Sequence, residues 1–136
     1  MVDALRRANR LLRPGGCVVD IHPTIEPAHV EVDATMTGDL HAEDARRRHA
    51  EADAALAAIV EQGVFIVDGV REFSFRRYAD SVEQLCDYVA QKWTGAQFDE
   101  ATVNRTRDLL LTHPLASLWL REQARMTKLR PGMLSL

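Results

Sequence analysis

Residues 11–21 have the sequence LLRPGGCVVDI, which joins an apolar run, a Pro-Gly-Gly turn and a second apolar run. Pro14 cannot continue a helix, because it lacks a backbone N–H and its ring clashes with the preceding turn. The two glycines after it can adopt the positive φ angles of a sharp reversal. We therefore predict a helix over residues 2–13 and, after the turn, a largely buried strand over residues 17–21.

The clearest helix predicted farther along the chain covers residues 40–62, where apolar side chains recur at helical spacing. Its apolar face consists of Ala45, His49, Ala52, Leu56, Ile59 and Val60. Gly63 is placed to end this helix, since glycine readily adopts the left-handed conformation that follows a last helical turn. Two shorter helices are predicted to begin at Ser81 and near Asp99, whose side chains can accept hydrogen bonds from a first turn.

The sequence also predicts a hairpin at Asp68-Gly69, because this dipeptide between two apolar runs is typical of a two-residue turn. The flanking strands would cover residues 64–67 and 70–78. Residues 30–34 alternate as in a half-exposed strand, and a turn is predicted to follow at Thr37-Gly38-Asp39.

A long final strand is predicted over residues 116–128, where apolar side chains alternate. Together these elements predict a single domain spanning residues 1–136, which is long enough to bury a modest core. We expect an α+β fold for this piece in isolation, with mixed or antiparallel strands and helices packed against the sheet.

The composition is typical of a globular protein, since 46% of the 136 residues are hydrophobic and 27% are charged. The formal net charge of −3 offers no positive field for phosphate groups, so we expect no nucleic-acid partner. No apolar run reaches membrane-spanning length, and residues 1–13 lack the apolar segment of a secretory signal. We expect a cytoplasmic protein without a membrane partner, in which Cys17 and Cys86 are reduced, buried thiols rather than a disulfide.

Residues 4–16, ALRRANRLLRPGG, are similar to a segment of class I S-adenosylmethionine-dependent methyltransferases. In that family a helix with this pattern ends in L-x-P-G-G and leads into the fifth strand of the sheet. A helix, a sixth strand and an antiparallel seventh strand follow, and the seventh inserts between the fifth and the sixth. The resemblance implies that residues 40–62, 70–78 and 116–128 fill those places, in the C-terminal remnant of a Rossmann-like α/β sheet.

The cofactor-binding half of such a methyltransferase has no counterpart in this sequence. The family binds S-adenosylmethionine at a glycine-rich turn after the first strand and an acidic residue that ends the second, as other nucleotide-binding sheets do. This sequence contains no G-x-G, and there is no room for four strands before the Pro-Gly-Gly turn. The resemblance therefore implies a methyltransferase-like chain that neither binds the cofactor nor catalyses transfer alone.

Asp20 and His22 are the first candidates for substrate contact, because they lie at the carboxyl end of the predicted fifth strand, where open α/β sheets place ligands. A histidine there would line the acceptor pocket or remove a proton. The alternative is a loop histidine hydrogen-bonded near Pro23. Arg76, Arg77 and Tyr78 are candidates to contact an anionic substrate, and the alternative for them is the exposed end of a strand.

The remaining polar residues identify neither a metal site nor a catalytic residue. The five histidines and nearby carboxylates match no compact metal-ligand spacing, so no metal is expected. Methyl transfer often depends on positioning rather than on acid–base groups, and the methyl acceptor cannot be identified from the family.

Two functions of different classes follow from the sequence. The first is the C-terminal portion of a truncated or split methyltransferase. The second is a stand-alone, non-catalytic α+β module that associates with itself or with a protein partner. In either case a strand left with an unpaired edge invites further pairing, so we predict a homodimer or larger homo-oligomer formed through an exposed sheet edge.

Overall fold

The structure, a computed structural model, describes residues 1–133. In this part of the chain the helices are α1 (Val2–Leu11), α2 (Glu43–Glu61), α3 (Val82–Lys92) and α4 (Glu100–Thr112). The strands are β1 (Val18–Pro23), β2 (His29–Val32), β3 (Thr35–Asp39), β4 (Phe65–Ala79) and β5 (Leu118–Pro131). The strands form an antiparallel open sheet, so the chain has the predicted α+β fold.

The chain divides into two compact units, each with its own apolar core. The first unit contains Met1–Thr24, Arg48–Phe73 and the described residues from Ala124 onward. The second unit contains Ile25–Arg47 and Ser74–Gln123. Helix α2 and strands β4 and β5 therefore contribute residues to both units.

In the first unit β5 lies between β1 and β4. Strand β1 pairs antiparallel with β5, from Val18 opposite Leu129 to Pro23 opposite Ala124. Strand β4 pairs with β5 as well. Helices α1 and α2 supply the core of this unit together with β4 and β5. The buried core residues are Leu5, Leu56, Ile59, Phe65 and Leu129.

In the second unit β2 lies between β3 and β5. Val32 lies opposite Leu118 in the antiparallel pairing of β2 with β5, and Val30 lies opposite Leu120. These four side chains are almost completely buried and form a core with residues of α3 and α4. The side chains of Leu85 and Val89 contribute from α3.

The predicted helix starts are confirmed by capping hydrogen bonds. Ser81 Oγ accepts a bond from the Gln84 backbone N–H at 3.0 Å, at the start of α3. Asp99 Oδ1 accepts one from the Thr102 backbone N–H at 2.7 Å, at the start of α4. Gly15 has a φ of +78°, as the predicted turn between α1 and β1 requires.

The predicted hairpin at Asp68-Gly69 is wrong, because β4 runs continuously from Phe65 to Ala79. Gly69 does not have the positive φ that a two-residue turn of this kind requires. The Asp68 carboxylate instead lies 3.0 Å from Lys128 Nζ and 3.0 Å from Arg130 Nε, both on β5. These cross-strand ion pairs keep Asp68 within the sheet.

The predicted turn at residues 37–39 is also wrong, because these residues belong to β3. The chain reverses earlier, at Asp33-Ala34, where Asp33 adopts a positive φ of 52°. Its carboxylate Oδ1 accepts a hydrogen bond from the Ser117 backbone N–H at 2.8 Å. This tertiary contact selects the turn position, and glycine is not needed there.

Burial of β1 is lower than predicted. Val19 and Ile21 are 51% and 57% exposed, whereas the side chains between and beside them are partly buried. Cys17 is exposed and Cys86 is half-buried, and both are free thiols, so the expectation of two buried thiols is wrong for Cys17. One face of β1 is thus open to solvent in the described chain.

We expect Gly38→Ala to lower the free energy of unfolding by about 2 kcal/mol, because a Cβ atom overpacks the contact with α4. That atom would lie 2.1 Å from Thr102 Oγ1 and 2.6 Å from Thr102 Cγ2, and Thr102 is only 2% exposed. Gly69→Ala is the matched control, since a Cβ at Gly69 meets nothing within 4 Å. Urea denaturation of both variants checks the prediction, and equal losses would contradict it.

Candidate functional site

Three side chains meet at the carboxyl end of β1. Asp20 and His22 project to the same face because side chains alternate along a strand, and α2 places Asp53 against them. His22 Nδ1 lies 2.6 Å from Asp20 Oδ2, and His22 Nε2 lies 2.6 Å from Asp53 Oδ1. The His22 side chain is only 11% exposed, so the two carboxylates enclose it.

Arg125 and Glu72 extend this arrangement across the sheet. Arg125 on β5 is the cross-strand partner of His22. Its Nη1 donates to Asp53 Oδ1 at 3.3 Å, and its Nε and Nη2 donate to Glu72 Oε1 at 3.2 and 2.9 Å. We call Asp20, His22, Asp53, Glu72 and Arg125 the histidine–carboxylate cluster, and all five belong to the first unit.

The cluster favours a protonated His22. Burial lowers the pKa of His22, but hydrogen bonds to Asp53 and Asp20 outweigh burial, so its pKa is raised above the ordinary value of 6.5. With His22 charged, three carboxylates, one imidazolium and one guanidinium leave the cluster with a net charge of −1. An additional cation or hydrogen-bond donor is therefore more compatible with this site than an anion.

His49 on α2 is the second histidine near the cluster, and its pKa is shifted in the opposite direction to that of His22. Burial lowers its pKa, a hydrogen bond with the Thr24 backbone raises it, and the charges of Arg48 and His22 lower it further. The net shift is downward, so His49 is neutral near pH 7. The first unit thus places a neutral imidazole near a charged one.

The geometry limits what each histidine can do. His22 donates both of its N–H groups to carboxylates, so it cannot accept a proton until one contact opens. His49 is neutral and therefore has a ring nitrogen able to accept a proton. The cluster is consequently suited to positioning a donor-bearing group beside a neutral base, rather than to proton removal by His22.

Arg77 and Tyr78 belong to the second unit, whereas Asp20 and His22 belong to the first. Arg77 Nε lies 3.4 Å from Glu122 Oε2, and its guanidinium carbon lies 5.5 Å from the centre of the Tyr88 ring. Burial raises the pKa of Glu122, and the pairing with Arg77 only partly offsets this. The Tyr78 ring contacts Trp119 edge-on, with 5.5 Å between ring centres.

Asp20 and His22 were predicted as site residues from the sequence, whereas Asp53, Glu72 and Arg125 were not. The three missed residues lie on α2, β4 and β5, far from His22 along the chain. Helical periodicity predicts that Asp53 follows Ala52 of the apolar helix face, but it does not show which strand Asp53 faces. The pairing of Arg125 with His22 depends on the register of β1 with β5, which no local pattern in either strand determines.

Two further properties of the described chain bear on the site. Residues 1–133 contain no group of three or more His, Cys, Asp or Glu side chains arranged to hold a metal ion. Within the same residues, every helix is too short or too polar to cross a bilayer.

Comparison with known proteins assigns no family to the chain. No family model matches it, and no match was found among curated proteins or solved structures.

Proposed function

We propose that this chain is the C-terminal part of a class I S-adenosylmethionine-dependent methyltransferase-like domain, located in the cytoplasm, which does not bind the cofactor alone. The observation that carries the proposal is the position of β5 between β1 and β4 in the first unit. The seventh strand of that family inserts in the same way between the fifth and the sixth. The L-x-P-G-G turn before β1, with Gly15 at a φ of +78°, gives further support.

In this proposal the histidine–carboxylate cluster lies on the acceptor side of the domain. Strand β1 runs from Val18 to Pro23, so Asp20 and His22 are near its carboxyl end, where α/β sheets bind ligands. The net negative charge of the cluster favours an acceptor that presents N–H or O–H groups. Arg77 is a weaker candidate for substrate contact, because its guanidinium already pairs with Glu122.

The cofactor-binding half of the domain would be supplied by another polypeptide, which pairs with β1. Among the described residues β1 pairs with β5 alone, so its other edge carries unpaired backbone groups. Val19 and Ile21 on this strand are about half exposed. In the proposed family the fourth strand of the sheet would pair along this edge.

Calorimetric titration of the purified chain with S-adenosylmethionine and S-adenosylhomocysteine tests the proposal. We expect no saturable heat from the chain alone. We expect saturable binding after co-expression with the polypeptide encoded immediately upstream, which should contain a glycine-rich turn after a strand. Saturable binding by the chain alone, or an upstream frame without such a turn, would overturn the proposal.

The same open edge favours a second candidate function, a non-catalytic module that forms homodimers. Two β1 edges from separate copies would satisfy each other's backbone groups and place Val19 and Ile21 beside the strand of the other copy. This candidate requires no upstream polypeptide and no cofactor. The two candidates therefore differ in oligomeric state and in cofactor binding.

We expect Ile21→Arg to convert a homodimer into a monomer, because it places a charge on the strand that would be covered. Leu115→Arg is the control, since Leu115 is 99% exposed in the segment between α4 and β5. Light scattering at micromolar concentration measures the mass of both variants and of the unchanged chain. A chain that is monomeric without substitution would rule out the homodimer.

A further inference from the structure

The second unit contains an open groove of about 450 Å³, which Glu31, Asp33, Arg76, Trp119 and Arg121 help to line. Glu31 on β2 is the cross-strand partner of Trp119 on β5, so both side chains project to the same face of the sheet. Arg121 follows Trp119 by two residues and shares that face. The groove therefore lies on the face opposite to the core residues Val30 and Leu120.

Glu31 has a buried carboxylate oxygen without a partner in the described chain. Its side chain is 10% exposed, and its Oε1 accepts bonds from Arg121 Nε at 2.7 Å and from His29 Nε2 at 2.9 Å. The Oε2 atom is buried and has no hydrogen-bond partner among residues 1–133. Leaving such an oxygen unsatisfied costs about 1–3 kcal/mol, so a donor is required there.

The charge state of Glu31 makes this requirement stronger. Burial raises the pKa of Glu31, but the hydrogen bonds from Arg121 and His29 outweigh burial, and its pKa is lowered overall. The carboxylate is therefore ionised at neutral pH and cannot satisfy Oε2 with a proton of its own. A bound N–H or O–H group would do so.

The other end of the groove offers a cation and an aromatic face. The Arg76 guanidinium carbon lies 4.4 Å from the centre of the Trp119 ring. None of the ion pairs among residues 1–133 involves Arg76, so its N–H groups can donate to an anion that enters the groove. Arg76 on β4 and Glu31 on β2 flank β5, so two strand spacings, about 10 Å, separate their backbones.

We propose that this groove binds a small planar carboxylic acid that carries a hydroxyl or amino group at its opposite end. The donor end would bind Glu31 Oε2, the carboxylate would bind Arg76, and the ring would lie beside the stacked Arg76 and Trp119 side chains. This site is independent of the proposed methyltransferase relationship, because it uses residues of the second unit alone.

Titration of the 15N-labelled chain with 4-hydroxybenzoate and 4-aminobenzoate, followed by NMR, tests the proposal. We expect the indole N–H peak of Trp119 to shift in a saturable manner at millimolar ligand. The peak of Trp93, which packs against the core of the same unit, is the internal control and should not move. Benzoate lacks the donor and phenol lacks the carboxylate, so each should bind at least tenfold more weakly.

Two variants test separately the contacts of the ligand with Arg76 and with Glu31. Arg76→Gln should weaken 4-hydroxybenzoate binding about tenfold, and Arg71→Gln on the same strand should not. Glu31→Gln should remove the preference for 4-hydroxybenzoate over benzoate. Because Arg76 is exposed, its variant tests the site even if the Glu31 variant fails to fold. An unmoved Trp119 peak, or equal affinity for benzoate and 4-hydroxybenzoate, would overturn the proposal.

Discussion

Replacing Phe65 with alanine is expected to lower the free energy of unfolding by about 3–5 kcal/mol. Phe65 begins β4, is 0% exposed and packs in the core of the first unit with Ile59 and Leu129. The loss combines the removed apolar surface with the cavity left behind, because the neighbouring α2 and β5 can relax only partly. Urea denaturation monitored by circular dichroism measures the change.

Phe73→Ala is the matched control for this prediction. Phe73 lies on the same strand and has the same chemistry, but it is 41% exposed. We expect its truncation to cost at most about 1 kcal/mol, because much of its apolar surface already contacts solvent. Comparable losses for the two phenylalanines would contradict the prediction, because burial would then not explain the loss at Phe65.

The parts of the fold that were predicted correctly depend on local chemistry. Ser81 and Asp99 cap their helices through backbone groups three residues away, and Gly15 forms its turn beside Pro14. Hydrophobic periodicity was sufficient for α2, because one face of a helix must be apolar when it packs. Such features are specified within a few residues of where they occur.

The incorrect predictions concern residues whose conformation is set by distant partners. Asp68 remains in a strand because Lys128 and Arg130 on β5 neutralise its carboxylate. Asp33, rather than Gly38, forms the turn before β3, and its carboxylate binds the backbone of Ser117. The sequence pattern around Asp68-Gly69 is typical of a hairpin, but the ion pairs of Asp68 with β5 outweigh that local preference for a turn.

The candidate site shows the same division between local and distant information. Asp20 and His22 share a strand face two residues apart, so their proximity was predictable from strand geometry. Asp53 lies beside them only because α2 packs over β1. Arg125 lies beside them only because of the register in which β5 pairs with β1. The position of His22 between two carboxylates therefore became clear only from the tertiary structure.

His22→Ala is expected to lower the free energy of unfolding by about 3 kcal/mol at pH 6, because it leaves Asp20 and Asp53 without their shared cation. The effect should depend on pH. Since the folded-state pKa of His22 is raised, its contribution is fully present below the unfolded value of 6.5 and is lost as pH rises through the folded value. The unchanged chain should therefore lose stability as pH rises from about 6 through the raised folded-state pKa of His22, and the variant should lack that slope.

Urea denaturation across this pH range distinguishes the ionic role of His22 from simple packing. A packing role predicts the same loss at every pH, whereas an ionic role predicts a loss that shrinks as His22 deprotonates. His41→Ala is the control, because His41 and Asp99 lie 3.6 Å apart and both are more than half exposed. An exposed pair of this kind contributes little to stability, because solvent screens it. A pH-independent loss for His22→Ala would mean that His22 stabilises the fold by packing rather than by its charge.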